Sequence, residues 1–303
     1  MIGRRDLLLL ATAPLLGAAA EPFGMAEVAP GIFVRHGVYE DATAANDDAI
    51  ANIGFIVGDS AVAVIDPGGS RGDGERLRAA VRARTDRPIR YVVLSHVHPD
   101  HVFGAGAFRG DAPVFVGHAR LPGALAERGE FYRRGLADIL GAGEAGEYVV
   151  PTLLVADTEK IDLGGRRLAL QAHGAAHTDN DLSVLDPRTG TLWAADLLFV
   201  DRIPSLDGRL TGWLKELQKL KALPATRAVP GHGPIIVPWP EAAGDEERYL
   251  TTLLREVRAA IARGDDIEAA VRTVAQGERG RWALFDDYNG RNVTVAYKEL
   301  EWE

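Results

Sequence analysis

The stretch SHVHPDH, residues 95–101, places three histidines and one aspartate within six consecutive positions of a chain that has only eight histidines. It directly follows the apolar run IRYVVL, residues 89–94, which is typical of a buried strand. Several imidazoles crowded into one loop repel one another when they are protonated, whereas a bound dication stabilises them. The stretch therefore predicts a metal site in a loop beyond the carboxyl end of a strand.

Further metal ligands are expected in short segments that follow other β-rich runs. The three segments that fit are HGAAHTDND with His177, LWAADLLF with Asp196, and VPGHGP with His232. An aspartate among apolar residues, such as Asp196, is costly to bury unless a metal or a hydrogen-bond donor compensates it. The chain has no cysteine, so any metal must be held by imidazole and carboxylate groups.

Composition and charge limit the classes of function. The chain has 303 residues, of which 47% are hydrophobic and 25% are charged, as in an ordinary globular protein. This length suffices for a large core in one domain, or in one domain with an appendage. Its net charge of −9 repels phosphate backbones, so we expect no nucleic-acid partner.

The N-terminal residues 1–20 have the pattern of a signal peptide. Arg4 and Arg5 precede an apolar run, residues 7–16, and Ala18–Ala20 supply an A-x-A cleavage pattern. The paired arginines resemble a twin-arginine signal, which predicts a periplasmic or secreted protein without stable membrane insertion after cleavage. The alternative interpretation of this segment is a buried N-terminal helix.

The rest of the chain alternates strands and helices. Residues 53–57 and 61–65 predict a hairpin, residues 72–84 an amphipathic helix and residues 113–117 another strand. In residues 120–146, five glycines interrupt a helical pattern, and this insertion either borders a substrate cleft or is a surface excursion. From residue 152 the chain is β-rich, and helices are predicted for the two segments 213–223 and 241–263. We therefore expect a two-layer β core flanked by helices.

Taken together, HVHPDH, His177, Asp196 and His232 resemble the motifs of the metallo-β-lactamase fold superfamily of hydrolases. The resemblance implies an α+β fold, a four-layer αββα sandwich over residues 21–240, with a helical C-terminal extension, residues 241–303, packed on the same domain. It also implies a dinuclear site. In this chain the first metal would be bound by His96, His98 and His177, the second by Asp100, His101 and His232, and Asp196 would bridge them.

Imidazole and carboxylate ligands without sulfur suit zinc, and we expect two Zn²⁺ ions per chain in preference to iron or manganese. Two metals lower the pKa of a bridging water toward about 7, so that hydroxide is available at neutral pH. Asp100 is the predicted catalytic residue, which accepts or passes on the proton. Asp66 and Thr178 are predicted to order the ligand loops through hydrogen bonds, and no substrate-binding residue is predicted.

The expected reaction is hydrolysis of an ester, thioester or related bond in a small-molecule substrate. Residues 196–208, DLLFVDRIPSLDG, resemble the glyoxalase-II-like branch of the superfamily. Three segments together resemble quinoprotein relay system zinc metallohydrolases: the leader, residues 176–186 (AHTDNDLSVLD) and the C-terminal tail. This resemblance implies a periplasmic dehydrogenase system as a partner.

Three alternatives stay open at this point. A mononuclear iron dioxygenase acting on persulfides uses the same fold with only part of the ligand set, and the intact Asp100, His101 and His232 argue against it. A zinc β-lactamase is disfavoured by Asp196, because such enzymes usually lack an aspartate there. The third alternative is a non-catalytic metal-binding accessory protein for a dehydrogenase.

Overall fold

The computed structural model describes residues 23–303. The predicted signal peptide, residues 1–20, lies outside the described residues. The strands are β1 Met25–Ala29, β2 Ile32–Arg35, β3 Ile53–Val57, β4 Val62–Ile65, β5 Ile89–Leu94, β6 Val114–His118, β7 Leu153–Val155, β8 Thr158–Asp162, β9 Arg167–Ala172, β10 Leu182–Asp186, β11 Thr191–Phe199, β12 Arg227–His232 and β13 Val237–Pro238. The helices are α1 Arg71–Arg84, α2 Pro99–Val102, α3 Leu121–Leu140, α4 Leu210–Lys221, α5 Ala243–Arg263, α6 Ile267–Thr273 and α7 Phe285–Leu300.

The strands form two mixed sheets. The first sheet holds β1 to β7 in chain order, and the second holds β13-β12-β11-β10-β9-β8. The predicted hairpin is present as the antiparallel pair β3–β4, and β4, β5, β6 and β7 then run parallel to one another. In the second sheet β11 and β12 are parallel, so that their carboxyl ends lie side by side. Carboxyl ends of parallel strands are where such folds place chemistry.

Alternating side chains of each strand divide the core into three layers. Between the sheets, Ile56 and Val93 of the first sheet share one buried cluster with Trp193 and Val229 of the second. The outer face of the first sheet packs against α1 and α3. The outer face of the second sheet packs against α4, α5 and α7. This arrangement confirms the predicted α+β sandwich with four layers, and places the C-terminal helices on the second sheet.

The structure also corrects some element predictions. Strands β1 and β2 were not predicted, and the helix predicted at 213–223 begins earlier, at Leu210. Gly129 and Gly135 do not interrupt α3, which continues to Leu140 and is followed by Gly141, a residue with a φ of 90°. A Cβ on Gly129 would lie 2.7 Å from the ring of Tyr148, so this glycine allows close packing rather than breaking the helix. Within residues 23–303, no helix has the length and apolar character needed to cross a bilayer.

Candidate metal centre

The seven predicted ligands meet at one edge of the sandwich. His96 and His98 lie in the loop after β5, and Asp100 and His101 lie in the short helix α2 that follows. His177 lies between β9 and β10, Asp196 within β11, and His232 at the end of β12. The structure therefore brings together residues from distant parts of the chain, in two groups of donor atoms.

The first group is three imidazoles around a common point. His98 Nδ1 lies 3.0 Å from His96 Nε2 and 2.9 Å from His177 Nε2, and the two Nε2 atoms are 3.3 Å apart. With Zn–N bonds of about 2.0–2.1 Å, a tetrahedral site separates its donors by about 3.3 Å. Burial lowers the pKa of His177 to about 3, so its imidazole is neutral and able to act as a ligand at physiological pH. The spacing of this group suits a zinc ion.

The second group consists of Asp100, His101 and His232. Asp100 Oδ2 lies 3.4 Å from His101 Nε2 and 3.3 Å from His232 Nε2. Burial alone would raise the pKa of Asp100, but the neighbouring His101 and His232 outweigh it and hold this pKa well below its ordinary range. Asp100 is therefore ionised at neutral pH and offers a carboxylate oxygen to a cation.

Asp196 lies between the two groups. Its Oδ2 is 3.3 Å from His177 Nε2 and 3.4 Å from His232 Nε2, and its Oδ1 is 3.0 Å from His101 Nε2. One carboxylate thus faces donors of both groups, which is the position that a bridging ligand requires.

Two atoms at the centre of the cluster test whether a cation fits there. His101 Nε2 and Asp196 Oδ1 are buried and 3.0 Å apart, yet neither makes a hydrogen bond to any residue in the range 23–303. Burial alone would lower the pKa of His101, but the surrounding carboxylates, chiefly Asp196 and Asp100, raise it well above its ordinary value. A bound dication would compensate buried ligand atoms that lack a hydrogen-bond partner and lie among carboxylates. The residues therefore fit a metal ion.

Local backbone features aim the Asp196 side chain. The pairing of β11 with β12 is irregular around Ala195, whose φ is 48°, and bulges of this kind redirect side chains near active sites. On the neighbouring strand, a Cβ at Gly231 would overlap Asp196 Oδ1. The glycine before His232 therefore leaves the space that the carboxylate occupies.

Hydrogen bonds behind the ligands fix their orientation. Asp66 Oδ1 accepts the backbone N–H of Ser95 at 2.8 Å, and its Oδ2 lies 2.8 Å from His101 Nδ1. His177 Nδ1 lies 2.6 Å from the carbonyl oxygen of Ser205. These contacts place a proton on the Nδ1 of each imidazole and leave its Nε2 free for a metal. Asp66 thus has the position predicted for a residue that orders the ligand loops.

Thr178 does not touch the cluster directly. Its backbone N–H and its hydroxyl both donate to Asp181, at 2.9 Å and 2.5 Å, within the loop that carries His177. Burial raises the pKa of Asp181 to about 7, although the Thr178 hydrogen bonds oppose that shift. Thr178 therefore stabilises the shape of the loop.

The sequence did not point to Asp207. Its Oδ2 lies 3.1 Å from His98 Nε2, on the side of the ring opposite the candidate metal position, and it also pairs closely with Arg128 of α3. Because His98 and Asp207 are 109 positions apart and Asp207-Gly208 is an ordinary turn dipeptide, no local signal marks this contact.

The histidines outside the motif have other partners. His118 Nδ1 accepts the backbone N–H of Arg120, and its Nε2 faces the His173 carbonyl. His173 contacts Glu216 and Ser183. These contacts give both histidines a structural role outside the metal cluster.

The cluster opens into a cleft of about 410 Å³. Its floor includes His98, Asp100 and Asp196. One wall comes from α3, within the segment that was expected either to border a cleft or to be a surface excursion, and the structure supports the former. The other wall comes from α7, through Tyr288 and Arg291. The C-terminal helices therefore contribute to the mouth of the site.

Comparison with known proteins agrees with this geometry. The family model of the metallo-beta-lactamase superfamily matches residues 46–232. The chain is 25% identical over 236 residues to a linear primary-alkylsulfatase from Pseudomonas sp. (strain ATCC 19151), covering 66% of this chain and 43% of the relative. The chain thus spans about half the length, or less, of the curated relatives that it matches.

Two solved structures share the fold. The stereoselective inverting sec-alkylsulfatase Pisa1 from Pseudomonas sp. aligns with a TM-score of 0.70 at 18% identity, over 91% of this chain and 50% of that one. A metallo-beta-lactamase family protein from Thermus thermophilus aligns with a TM-score of 0.66 at 18% identity, over 91% of this chain and 94% of that one. With the family model covering more than half of its residues, the chain belongs to the metallo-beta-lactamase superfamily.

Proposed function

We propose that this superfamily hydrolase is an exported dinuclear zinc enzyme that cleaves an ester or thioester bond of a small molecule. The observation that carries the proposal is the convergence of seven imidazole and carboxylate donors, with Asp196 between two groups of three. A one-metal enzyme would not require the second group, so the arrangement favours two ions over a single iron. Donors without sulfur and with tetrahedral spacing favour zinc.

In this proposal one ion would be held by His96, His98 and His177, and the other would be held by Asp100, His101 and His232. Asp196, which lies between the two groups, would be available to both ions. Bound zinc supplies a hydroxide at neutral pH and stabilises negative charge that develops on the attacked group. Asp100 lines the cleft and is ionised, so its carboxylate accepts a proton from the attacking water and returns it to the leaving group. Asp66 and Asp207 keep the His101 and His98 rings in the tautomers that ligation requires.

Hydrolysis of a sulfate ester is the second candidate. The specific observation in its favour is the 25% identity to a linear primary-alkylsulfatase over 236 residues. The same cleft serves either reaction, because a sulfate ester and a carboxylic ester both place an oxyanion beside the cations during attack.

The test uses the zinc-loaded chain and two kinds of substrate. The first kind is p-nitrophenyl acetate and the thioester S-phenyl thioacetate, and the second is the sulfate ester p-nitrophenyl sulfate. We expect turnover that EDTA abolishes and added zinc restores, and a loss of at least about 100-fold in kcat/KM for His96→Ala. His36→Ala is the matched control, because His36 is exposed and lies outside the cluster. Turnover of the sulfate alone would select the second candidate. Activity unaffected by EDTA and by His96→Ala would contradict the proposal.

Export and partnership with a periplasmic quinoprotein dehydrogenase also belong to this proposal. Export is supported by the Arg4–Arg5 pair and the apolar run after it. The partnership rests on the resemblance of the leader, residues 176–186 and the C-terminal tail to quinoprotein relay system zinc metallohydrolases. N-terminal sequencing of periplasmic protein should find a start near residue 21, and replacing both arginines by lysine should retain the precursor in the cytoplasm. A precursor that stays uncleaved in wild-type cells would contradict export.

A further inference from the structure

We propose that the cleft takes a lipophilic ester, whose linear alkyl or acyl group lies on an apolar face of α3. This inference rests on the proposed hydrolase function and names its substrate class. We call the relevant surface the α3 face, and define it as Phe131, Gly135 and Ile139, with Tyr132 and Leu136 beside them.

The composition of α3 sets this face apart from the rest of the helix. Phe131, Gly135 and Ile139 are spaced four residues apart, so they form one stripe along the helix. Phe131 and Ile139 are 75% and 43% exposed, which is unusual for large apolar side chains. The other exposed positions of the same helix are mostly charged, namely Glu127, Glu130, Arg134 and Asp138. The large exposed apolar residues of α3 thus lie on the stripe that borders the metal cleft, which indicates a binding surface for an apolar group.

The α3 face is continuous with the candidate metal centre. Tyr132 packs edge-on against the His98 ring with centroids 6.1 Å apart. Arg128 of the same helix donates to the Tyr132 hydroxyl at 3.3 Å and pairs with Asp207, which contacts His98. These contacts hold α3 against the ligand loop. If the scissile bond of a substrate lies at the candidate metal centre, its alkyl or acyl group therefore extends over the α3 face. The occupant is therefore part of the substrate rather than a separate ligand.

Gly135 forms a notch in the middle of the face. It is exposed, and a Cβ built on it meets nothing within 4 Å among the described residues. A larger side chain there would enter the cleft without a clash, and it would replace a glycine, which is unfavourable in a helix interior. The notch between Phe131 and Ile139 thus offers space for a chain of methylene groups.

The experiment measures binding, so that it does not depend on turnover. Linear carboxylates from acetate to octanoate are titrated calorimetrically into the zinc-loaded full chain. For the wild type we expect the affinity to rise about two- to four-fold for each added methylene, as apolar surface is buried. Gly135→Leu should abolish this dependence while leaving acetate binding unchanged, and Phe131→Ser should weaken octanoate binding at least five-fold.

Gly123→Leu is the matched control. Gly123 is also a glycine of α3 with nothing within 4 Å of a Cβ built on it, but it borders a different, polar pocket beside Arg120 and Asp179. It should retain the wild-type dependence on chain length. Equal affinity for all carboxylates in the wild type, or an equal loss in the Gly123 and Gly135 variants, would overturn the inference.

The two proposals fail in different ways. If the chain binds zinc and hydrolyses esters but shows no dependence on chain length, only the inference about the α3 face is wrong. If octanoate binds better than acetate but no ester, thioester or sulfate ester is cleaved, the proposed function is wrong and the apolar subsite stands. A parallel series of alkyl sulfates, kept below micelle concentrations, distinguishes sulfate from carboxylate headgroups on the same chain.

Discussion

Replacing Asp66 by asparagine should weaken metal binding, although none of the seven candidate ligands is substituted. Asp66 is fully buried and offers one oxygen to the Ser95 N–H and the other to His101 Nδ1, both at 2.8 Å. An asparagine can keep its oxygen on the Ser95 N–H only by turning its NH₂ group toward His101. His101 Nδ1 must then accept a hydrogen bond, which moves the proton to Nε2, the atom that faces Asp196 and Asp100.

The magnitude follows from the two choices open to the variant. Either His101 adopts the wrong tautomer for ligation, or the amide turns around and leaves two buried donors facing each other, at a cost of about 1–3 kcal/mol. That range corresponds to a loss of about 5- to 150-fold in metal affinity, which includes the loss of about 10- to 100-fold that usually follows removal of such a contact. The loss should fall on the Asp100, His101 and His232 group and spare the first group.

The assay is competition with a chromophoric zinc chelator, with elemental analysis of the dialysed protein. We expect one tightly bound zinc in Asp66→Asn and a second that is released at least about ten-fold more readily. Asp111→Asn is the matched control, because Asp111 is a buried carboxylate that pairs with Arg78 and Arg82 away from the cleft. If Asp66→Asn holds both ions as tightly as the control, the role assigned to Asp66 is wrong.

Three further outcomes follow from the same geometry. Gly231→Ala should displace the Asp196 carboxylate, because the new Cβ overlaps Oδ1 and lies 2.8 Å from the backbone of Ala195 and Asp196. Elemental analysis should find less zinc per chain than in the wild type, and full zinc content would refute this. Asp207→Asn should lower zinc affinity at the first group by about ten-fold, measured by chelator competition, because His98 Nε2 loses a charged partner; an unchanged affinity would exclude that role. Because carboxylates raise the pKa of His101 in the metal-free chain, zinc must displace a proton there. Zinc affinity of that group should therefore fall about ten-fold per pH unit as the pH decreases below that pKa, and calorimetry in buffers of different ionisation enthalpy should detect about one proton released; release of none would contradict the assignment.

The ligands were predictable because their signal is local. SHVHPDH concentrates donors directly after an apolar strand, and the segments around His177 and His232 follow β-rich runs in the same way. The packing of the two sheets then brings the ends of β5, β9 and β12 to the same edge of the sandwich. The two-sheet core was predictable for the same reason, since alternating and continuous apolar runs define strand faces.

Other features depend on tertiary contacts that no short segment carries. Asp207 meets His98 only because α3 and the loop after β11 are packed against one edge of the sandwich. The glycines of α3 suggested interruptions, but Gly129 packs on Tyr148 and Gly135 faces open space. Their meaning is visible only when the neighbouring elements are in place, because propensity is a weak prior that packing overrides.

The central claim is that the two groups of side chains around Asp196 hold two zinc ions. Crystals of the zinc-loaded chain, measured on both sides of the zinc absorption edge, test it most directly. The account predicts two anomalous peaks about 3.5–4 Å apart, one beside His96, His98 and His177 and one beside Asp100, His101 and His232. A single peak, or peaks remote from Asp196, would contradict it.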